Sequence, residues 1–420
     1  MEKYKQHGHA MNWSILFLLL ITTISSGIYR DGFATLFPFL QTEFELTRAQ
    51  IGLQSTFFFL TSALFAVFAG RLVDILGTKK GILFGLGSSG ILVALHTFAP
   101  SFVVLLLIAG LTGLGTSMIA PATNKGIIER FTIHNRATAM GLNYAGFSIG
   151  GALASVSLPL IASYYSWRLA ALLIGILTII STAVIFVFYR EIGAGEKAIK
   201  GKDEAKKPSF YEEFCQLLNN RYMLLMGLLG FVFGSTSGII ATHFTLFLHL
   251  DYGLPETLAG LGFGAAQIGG SMARPGWGFI SDRVFRGNRE NGLLAMGILF
   301  TFISLLFAFF TQSLNYIIIF ILGFFIAAAG RGWNGLYFTA VAELAGEDNT
   351  GMSVGFTFLF IRLGLMLAPP VFGFIADKRG AYDYSWFLSG LMVFVVSVLT
   401  YYHLKKVKRE EKRAGVNIPL

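Results

Sequence analysis

Long apolar stretches recur along this chain and are separated by short polar segments. A helix that crosses a membrane needs about 20 consecutive, mostly apolar residues. Twelve stretches reach that length, at residues 12–41, 48–74, 80–99, 101–130, 138–164, 167–189, 221–249, 256–281, 291–312, 315–343, 351–377 and 384–404. The pattern predicts an all-α membrane protein with twelve transmembrane helices, numbered here as spans 1 to 12. Because most connections are very short, neighbouring spans are expected to run antiparallel.

One connection is longer and rich in charged residues. It covers residues 190–220 and separates six spans from the next six. The sequence therefore predicts an N-terminal six-helix half at 1–189, a cytoplasmic linker at 190–220, a C-terminal six-helix half at 221–404 and a basic cytoplasmic tail at 405–420.

The composition agrees with a membrane protein. A soluble chain carries about 25% charged residues, whereas this chain carries 13% and is 54% hydrophobic. Its 42 phenylalanines suit contact with lipid, and its 49 glycines allow close approach of helix backbones. Cys215 is the only cysteine, which excludes an intramolecular disulfide or a cysteine-rich metal site. No cleavable signal peptide is expected, because the first apolar stretch continues past Arg30 without a small-residue cleavage site.

Positive residues are distributed unevenly between the two sides of the predicted membrane. If the N-terminus lies inside, the outer loops hold only Arg48, Arg168, Lys378 and Arg379. Lys and Arg concentrate in the cytoplasmic loops of membrane proteins, so both termini are predicted to be cytoplasmic in a multi-pass protein of the cell membrane. The net charge of +9 arises from the inner segments and the tail KKVKREEKR. This distribution predicts contact with anionic membrane lipid and no nucleic-acid partner.

The two halves repeat one another. GRLVDILGTKK begins at Gly70 and GFISDRVFRGNR at Gly278, each at the inner end of the second span of its half. SYYSWR before span 6 matches YDYSWF before span 12, and Glu129 and Glu343 lie at equivalent ends of spans 4 and 10. Three matches in the same order indicate a duplication with parallel halves, which is one of the known transporter plans.

The repeated loop resembles a signature of the major facilitator superfamily. That signature, G-x-x-x-D-x-x-G-x-K/R-K/R, lies between the second and third helices of the family. It is matched by Gly70, Asp74, Gly77, Lys79 and Lys80, although Ile75 replaces the usual Arg. A looser second copy consists of Gly278, Asp282 and Arg283, and the G-x-x-x-D spacing recurs at Gly373 and Asp377. The resemblance implies two inner gates, at which Glu129 with Arg130, and Glu343 with Arg283, are expected to lie near Asp74 and Asp282.

Two further stretches resemble transporters of organic anions. PATNKGIIERFTIHNRATAMG, from Pro121, resembles the span 4 to span 5 region of the anion:cation symporter group. IYRDGFATLFPFL places Arg30 where that group often carries an Arg, and Arg274 in span 8 resembles monocarboxylate transporters. The sequence departs from these groups as well. The span 4 Arg of organic-anion carriers is not clearly present, and Lys125 is the nearest cation.

Several cations lie within the spans, where an uncompensated charge costs a few kcal/mol and usually faces a cavity or a partner. A guanidinium can bind a carboxylate through two hydrogen bonds. The substrate-binding candidates among these cations are Arg30, Arg331, Arg274 and Arg362. The alternative for each is a structural ion pair or a bond to a carbonyl. Lys125 is expected to snorkel to the membrane edge and contact Glu129 one turn away.

Uncharged polar residues and titratable groups complete the candidate site. Asn124, Asn143, Gln267 and Asn334 could orient a substrate or hold helices together. Asp31 and His243 are the candidates for proton coupling. Asp31 could alternatively be a permanent counter-ion. The alternative for His243 is a structural role, as a hydrogen-bond partner between helices.

These features predict a secondary active transporter that moves a small organic anion, a carboxylate or sugar acid, by alternating access and proton-coupled symport. Efflux of a drug or metabolite is an alternative, and a non-transporting membrane sensor is an alternative of another class. Enzymatic activity is not expected, since the chain has no P-loop, no H-E-x-x-H and no Gly-x-Ser-x-Gly. No cofactor or metal is expected, and the protein is expected to be a monomer whose partners are the anion, a proton or other coupling ion, and lipid.

Overall fold

A computed structural model describes residues 13–191, 216–310 and 313–414, so most of the predicted linker lies outside the described residues. The described residues form α-helices, short 3-10 segments and the turns between them. The helices are α1 Trp13–Arg30, α2 Phe37–Phe44, α3 Arg48–Leu76, α4 Thr78–Leu95, α5 Phe102–Thr116, α6 Ile119–Arg130, α7 Ile133–Tyr164, α8 Trp167–Phe188, α9 Arg221–Leu250, α10 Glu256–Arg283, α11 Arg289–Phe310, α12 Tyr316–Arg331, α13 Asn334–Arg379 and α14 Asp383–Ala414. The all-α prediction is confirmed.

Eleven helical segments among the described residues are long and apolar enough to cross a membrane. The predicted span 8 is not among them, although its whole length is helical as α10. This helix is rich in glycine and contains Arg274, Pro275 and Asp282, which lower its mean hydropathy. A Cβ added at Gly269 would lie 2.1 Å from the Phe324 carbonyl oxygen, so glycine here allows α10 and α12 to pack backbone to backbone.

The chain separates into two compact units. The first comprises Met1–Phe39 and Phe57–Glu196, and the second comprises Leu40–Thr56 and Lys197–Leu420. The N-terminal turns of α3, through Thr56, thus group with the second unit, whereas the remainder of this helix groups with the first. The core of the first unit includes the fully buried Leu19, Ile82 and Ile119. The core of the second includes aromatic rings packed edge to face, with the Phe247 and Trp386 centroids 5.4 Å apart.

Three predicted spans are interrupted. Span 1 breaks at Asp31–Gly32 before a 3-10 segment, span 4 at Ser117–Met118 and span 10 at Gly332–Trp333. Ser117 precedes Glu129 by 12 positions, and Gly332 precedes Glu343 by 11. The fourth spans of the two halves therefore break at nearly equivalent points, which agrees with the duplication.

Spans 10 and 11 are joined by continuous helix where the sequence predicts a break. A break at 344–350 is expected from the sequence, but the helical backbone of α13 continues through these residues. The segment LAGEDNT contains no proline and has helix-forming Leu, Ala and Glu. The membrane-compatible parts remain separate, at Tyr316–Ala345 and Met352–Arg379.

Candidate substrate-binding residues and gate motifs

Arg30 is the last residue of α1, at the point where span 1 breaks. Its side chain is exposed, and its guanidinium carbon lies 5.2 Å from the centre of the Phe147 ring on α7. A guanidinium over an aromatic face is stabilised by the ring quadrupole. The adjacent Asp31, at the break of span 1, is only 5% exposed, so the acid is buried whereas Arg30 is not.

Two polar pairs connect α6 to α7 in the first unit. The Asn143 Nδ2 donates to the Thr123 Oγ1 at 3.1 Å, and the Asn124 Nδ2 donates to the Tyr144 hydroxyl at 2.9 Å. Asn143 is fully buried, which fits a contact between helices rather than with substrate. Tyr144 is 40% exposed, so the second pair reaches the surface of the unit.

Arg331 lies at the break of span 10 in the second unit. Its side chain is 8% exposed and donates from Nη1 to the Oε1 of Gln267, which is 3% exposed. The break leaves the Gly330 carbonyl outside the regular helix ladder. Thr236 and Ser237 donate to this oxygen at 2.9 and 2.7 Å, and the Trp333 Nε1 donates at 3.2 Å. Satisfying such groups is what allows a helix to break at membrane depth.

The other candidate residues, Arg362, Arg274, Asn334 and His243, differ in burial and in their contacts. Arg362 is half-buried with its guanidinium carbon 4.9 Å from the centre of the Phe358 ring. Arg274 and Asn334 are also half-buried, and Asn334 begins α13. His243 is fully buried between the Tyr382 hydroxyl, 3.0 Å from Nδ1, and the Pro369 carbonyl, 2.8 Å from Nε2. Because a carbonyl only accepts, Nε2 carries a proton, and both ring nitrogens have partners within the second unit.

The inner motif of the first unit is organised around Gly77, whose φ is +88°. The Glu191 carboxylate accepts from the Lys79 backbone N–H at 3.0 Å, at the N-terminus of α4. A Cβ at Gly77 would lie 2.4 Å from the Glu191 Oε1. Glycine is therefore required both by the backbone conformation and by the carboxylate that stabilises the start of α4.

The expected contact of Lys125 with Glu129 is wrong. The Lys125 Nζ instead donates to the Val73 and Asp74 carbonyls at 3.1 and 3.0 Å and lies 3.7 Å from the Asp74 Oδ1. It thus neutralises the electronegative end of α3. Glu129 accepts from the Thr78 hydroxyl at 3.0 Å, so it does lie at this motif.

Arg130 contacts residues 189–190, which follow α8, rather than Asp74. Its guanidinium carbon lies 5.6 Å from the centre of the Tyr189 ring, and it donates to the Arg190 carbonyl. Burial of the Tyr189 hydroxyl raises the pKa of this side chain to about 12, so Tyr189 stays neutral beside Arg130.

In the second unit, the expected cation at the inner motif is Arg283, but Arg289 occupies that place. The Arg289 Nη1 contacts the Asp282 Oδ1, and its Nε donates to the Glu343 Oε1 at 3.0 Å. Arg283 lies over the Phe279 ring. Gly287 has a φ of +79°, which makes it the counterpart of Gly77, and Arg289 then corresponds to Lys79. The second copy therefore matches the motif at more positions than the sequence indicated. Its glycine, Gly287, follows Asp282 with two more intervening residues than separate Gly77 from Asp74.

The third G-x-x-x-D sequence receives the start of α3. The two Asp377 carboxylate oxygens accept from the Arg48 and Ala49 backbone N–H groups, each at 2.9 Å. A Cβ at Gly373 would lie 2.4 Å from the Arg48 carbonyl oxygen, so the glycine permits this approach. The Arg48 Nη2 also donates to the Gly380 carbonyl at 2.9 Å and lies 3.5 Å from the Asp251 Oδ1. Burial raises the pKa of Asp251, opposed by the Tyr382 N–H and by Arg48.

Residues 19–363 match the Major Facilitator Superfamily, a stretch that covers most of the chain. The protein belongs to this superfamily. This match, together with relatives described as transporters, confirms the expectation that the chain is not an enzyme. It is a multi-pass membrane protein with the fold that the gate motif implied.

Relatives of known description within the superfamily cover nearly the whole chain. The hexuronate transporter of Bacillus subtilis (strain 168) is 24% identical over 396 residues, 90% of this chain and 92% of that protein. The probable sulfoacetate transporter SauU of Cupriavidus necator is 22% identical over 90% of this chain and 91% of its own length. Among solved structures, a bacterial homologue of the human lysosomal transporter Spinster, inward-facing and unoccupied, superposes with a TM-score of 0.77 at 20% identity and covers 93% of this chain and 96% of that one.

Three residues of this superfamily member were missed by sequence reasoning: Tyr144, Glu191 and Arg289. Tyr144 carries no charge and resembles the other aromatic residues of the spans. Glu191 lies in the charged segment after span 6, where an acidic residue cannot be distinguished by sequence from the other charged residues of a solvated linker. The glycine spacing before Arg289 offered a signal, since R-G-N-R differs from the first motif by two inserted residues.

Proposed function

We propose that this transporter carries a small organic anion, a carboxylate or sugar acid, by alternating access of its two halves. The observation that carries the proposal is the exposed guanidinium of Arg30 in the middle of a membrane span. A charge that faced lipid there would cost a few kcal/mol or more, so the side chain faces water or a ligand. A fixed cation in a water-filled cavity is a binding group for an oxyanion.

The substrate class is supported by the relatives. One is described as a hexuronate transporter and another as a probable sulfoacetate transporter, and both substrates are organic anions. Arg331 is a second cation within a span; its side chain is buried and donates to the amide oxygen of Gln267.

Coupling to a proton is proposed at Asp31. This carboxylate is buried and directly follows Arg30 in the sequence. A carboxylate can carry a proton, so Asp31 and Arg30 would supply a proton site and an anion site at the same break in span 1. Symport requires that both sites are occupied together.

The test is uptake of a carboxylate panel into proteoliposomes, with and without an imposed pH gradient. We expect uptake of a sugar acid that is accelerated when the outside is acidic. Arg30→Ala should abolish uptake and leave thermal stability largely intact, because truncating one partner of a desolvated charged contact costs several kcal/mol of binding. Arg30→Lys should restore little, since lysine lacks the planar fork.

Arg331→Ala is the matched comparison, because it removes a cation from the other half. Normal transport by Arg30→Ala would remove the central assignment and leave the anionic substrate resting on Arg331 and Arg274. Carboxylates that bind the protein but never accumulate in the proteoliposomes would favour the sensor alternative. Export of cationic compounds would favour efflux.

A further inference from the structure

We propose that Tyr144 is a specificity-determining residue, whose hydroxyl donates a hydrogen bond to a hydroxyl of a sugar acid while Arg30 binds its carboxylate. This inference rests on the proposed function, since it places the second contact relative to the Arg30 anion site. It adds a residue, a bond direction and a substrate feature that the anion site alone does not define.

The first observation is the direction of the Asn124–Tyr144 hydrogen bond. The Asn124 Nδ2 donates to the Tyr144 oxygen at 2.9 Å, so the tyrosine accepts in this bond. A phenol has one proton and can accept and donate at once. The Tyr144 O–H therefore remains able to donate to another acceptor, and the 40% exposure of the side chain makes it accessible.

The second observation is that one buried ring supports both Arg30 and Tyr144. Phe147 is 5% exposed and lies under the Arg30 guanidinium, with 5.2 Å from its ring centre to the guanidinium carbon. The Tyr144 ring centre lies 6.0 Å from that of Phe147 on the same helix. Positions i and i+3 share a helix face, so Arg30 and Tyr144 present a cation and a hydroxyl donor on neighbouring parts of one surface.

The third observation concerns what this surface faces. A guanidinium does not face the hydrocarbon of a bilayer without a large cost, so the surface that exposes Arg30 is in contact with water. Tyr144 and half-buried Asn124 extend this polar surface away from the cation. A ligand that contacts both ends must carry an anionic group and, at a distance from it, a hydrogen-bond acceptor. A sugar acid has this arrangement, whereas propionate has no hydroxyl beyond its carboxylate.

The experiment compares binding of D-glucuronate and propionate to purified protein by isothermal titration calorimetry. We expect Tyr144→Phe to weaken glucuronate binding about 3- to 10-fold, the value of one neutral hydrogen bond, and to leave propionate binding unchanged. Tyr164→Phe is the matched control, since Tyr164 is an exposed tyrosine of the same helix.

The outcomes separate this inference from the proposed function. Tyr144→Phe that leaves glucuronate affinity unchanged, or weakens both anions equally, overturns the role of Tyr144 and leaves the anion site intact. Wild-type protein that binds neither anion, nor galacturonate, overturns both. Propionate supplies the readout that a merely structural effect would move, because loss of packing at Tyr144 would disturb Arg30 through Phe147.

Discussion

At the scale of single residues, Gly77 is constrained from two directions. Its φ of +88° and ψ of 169° belong to a region that is essentially restricted to glycine, and the Glu191 carboxylate occupies the space of a side chain. The carboxylate in turn binds the start of α4. Gly77 is therefore part of a capping arrangement at the turn between α3 and α4.

Gly77→Ala should destabilise the protein by about 1–3 kcal/mol, the cost of holding a non-glycine residue in this backbone region. Thermal unfolding of detergent-purified protein measures the effect. Gly70→Ala is the control from the same motif, because no atom lies within 4 Å of an added Cβ there. Alanine inside a helix is favoured over glycine, so this variant should be as stable as wild type or slightly more so. Equal losses in the two variants would contradict the account.

Arg289 bridges two acids in the second unit and is 19% exposed, whereas Asp282 and Glu343 are 62% and 49% exposed. Arg289→Gln should therefore lower stability modestly, by roughly 0–1 kcal/mol per exposed pair. Arg283→Gln, which removes a cation over Phe279, should cost less. Unfolding at low and high salt checks the cause, because the difference between the variants should shrink in 1 M salt as the charges are screened. A difference that is independent of salt would point to packing instead.

Individual residues also show what sequence reasoning could and could not reach. Asp74, Asp282 and Glu343 are recognisable because an acid at the end of an apolar helix is conspicuous. Their partners are less so, since Lys125 lies 51 positions from Asp74 and Arg289 follows an inserted turn. Positive φ at Arg286 and Gly287 shifts the register of that turn. A fixed-spacing comparison of the two motifs therefore selects Arg283, the wrong arginine.

At the scale of elements, the start of α3 is held by polar contacts rather than by apolar packing alone. Asp377 supplies the acceptors for its first backbone N–H groups, and the Thr56 hydroxyl donates to the Met366 carbonyl at 2.6 Å. Gly52 and Gly373 allow the backbones to approach. The G-x-x-x-D sequence at the end of the eleventh span thus has a structural reason that differs from the two inner motifs, because its Asp caps another helix.

Asp251 gives this region a dependence on pH. Burial raises its pKa, and Asp383 adds to the effect, while the Tyr382 N–H and Arg48 oppose it. An acid whose pKa is raised on folding contributes stability that is fully present below its ordinary pKa of about 3.9 and lost as the pH rises through the raised value.

Asp251→Asn should therefore remove part of the pH dependence of stability. Between an acidic buffer and neutral pH, the melting temperature of wild type should fall relative to that of Asp251→Asn. Melting curves of both proteins across this range measure the difference. Glu45→Gln, a change of an exposed acid just before α3, is the control and should follow wild type. Parallel curves for wild type and Asp251→Asn would exclude a raised pKa at Asp251.

The lengths and order of the helices follow from hydrophobic runs, but their interruptions do not. Ser117–Met118 and Gly332–Trp333 each lie inside a stretch of the length of one span, so the hydrophobic pattern gives no boundary there. The break at Gly332 depends on Thr236, Ser237 and Trp333, whose side chains satisfy the freed Gly330 carbonyl. Only the tertiary structure shows that these side chains lie within hydrogen-bonding distance of the Gly330 carbonyl.

At the scale of the whole molecule, the repeated features fall into two related sets. Each half has an inner motif with a glycine of positive φ, an acid at the end of its second span and an interrupted fourth span. Their equivalence was predictable because the repeat preserves order along the chain. The partners within each set differ, with Lys125 at Asp74 and Arg289 at Asp282, so the corresponding acids of the two predicted halves have different cationic partners.

The orientation of the whole molecule remains a prediction from the distribution of Lys and Arg, and the chain contains its own reporter. Cys215 is the only cysteine and lies in the charged segment between the sixth and seventh spans. If that segment is cytoplasmic, a membrane-impermeant maleimide should leave the wild-type protein unlabelled in intact cells and label it in inverted membrane vesicles. Cys215→Ser with Ser313→Cys is the matched control, because Ser313 is exposed in the connection before α12, on the predicted outer side. This variant should show the reverse labelling, whereas labelling of Cys215 in intact cells would overturn the predicted orientation.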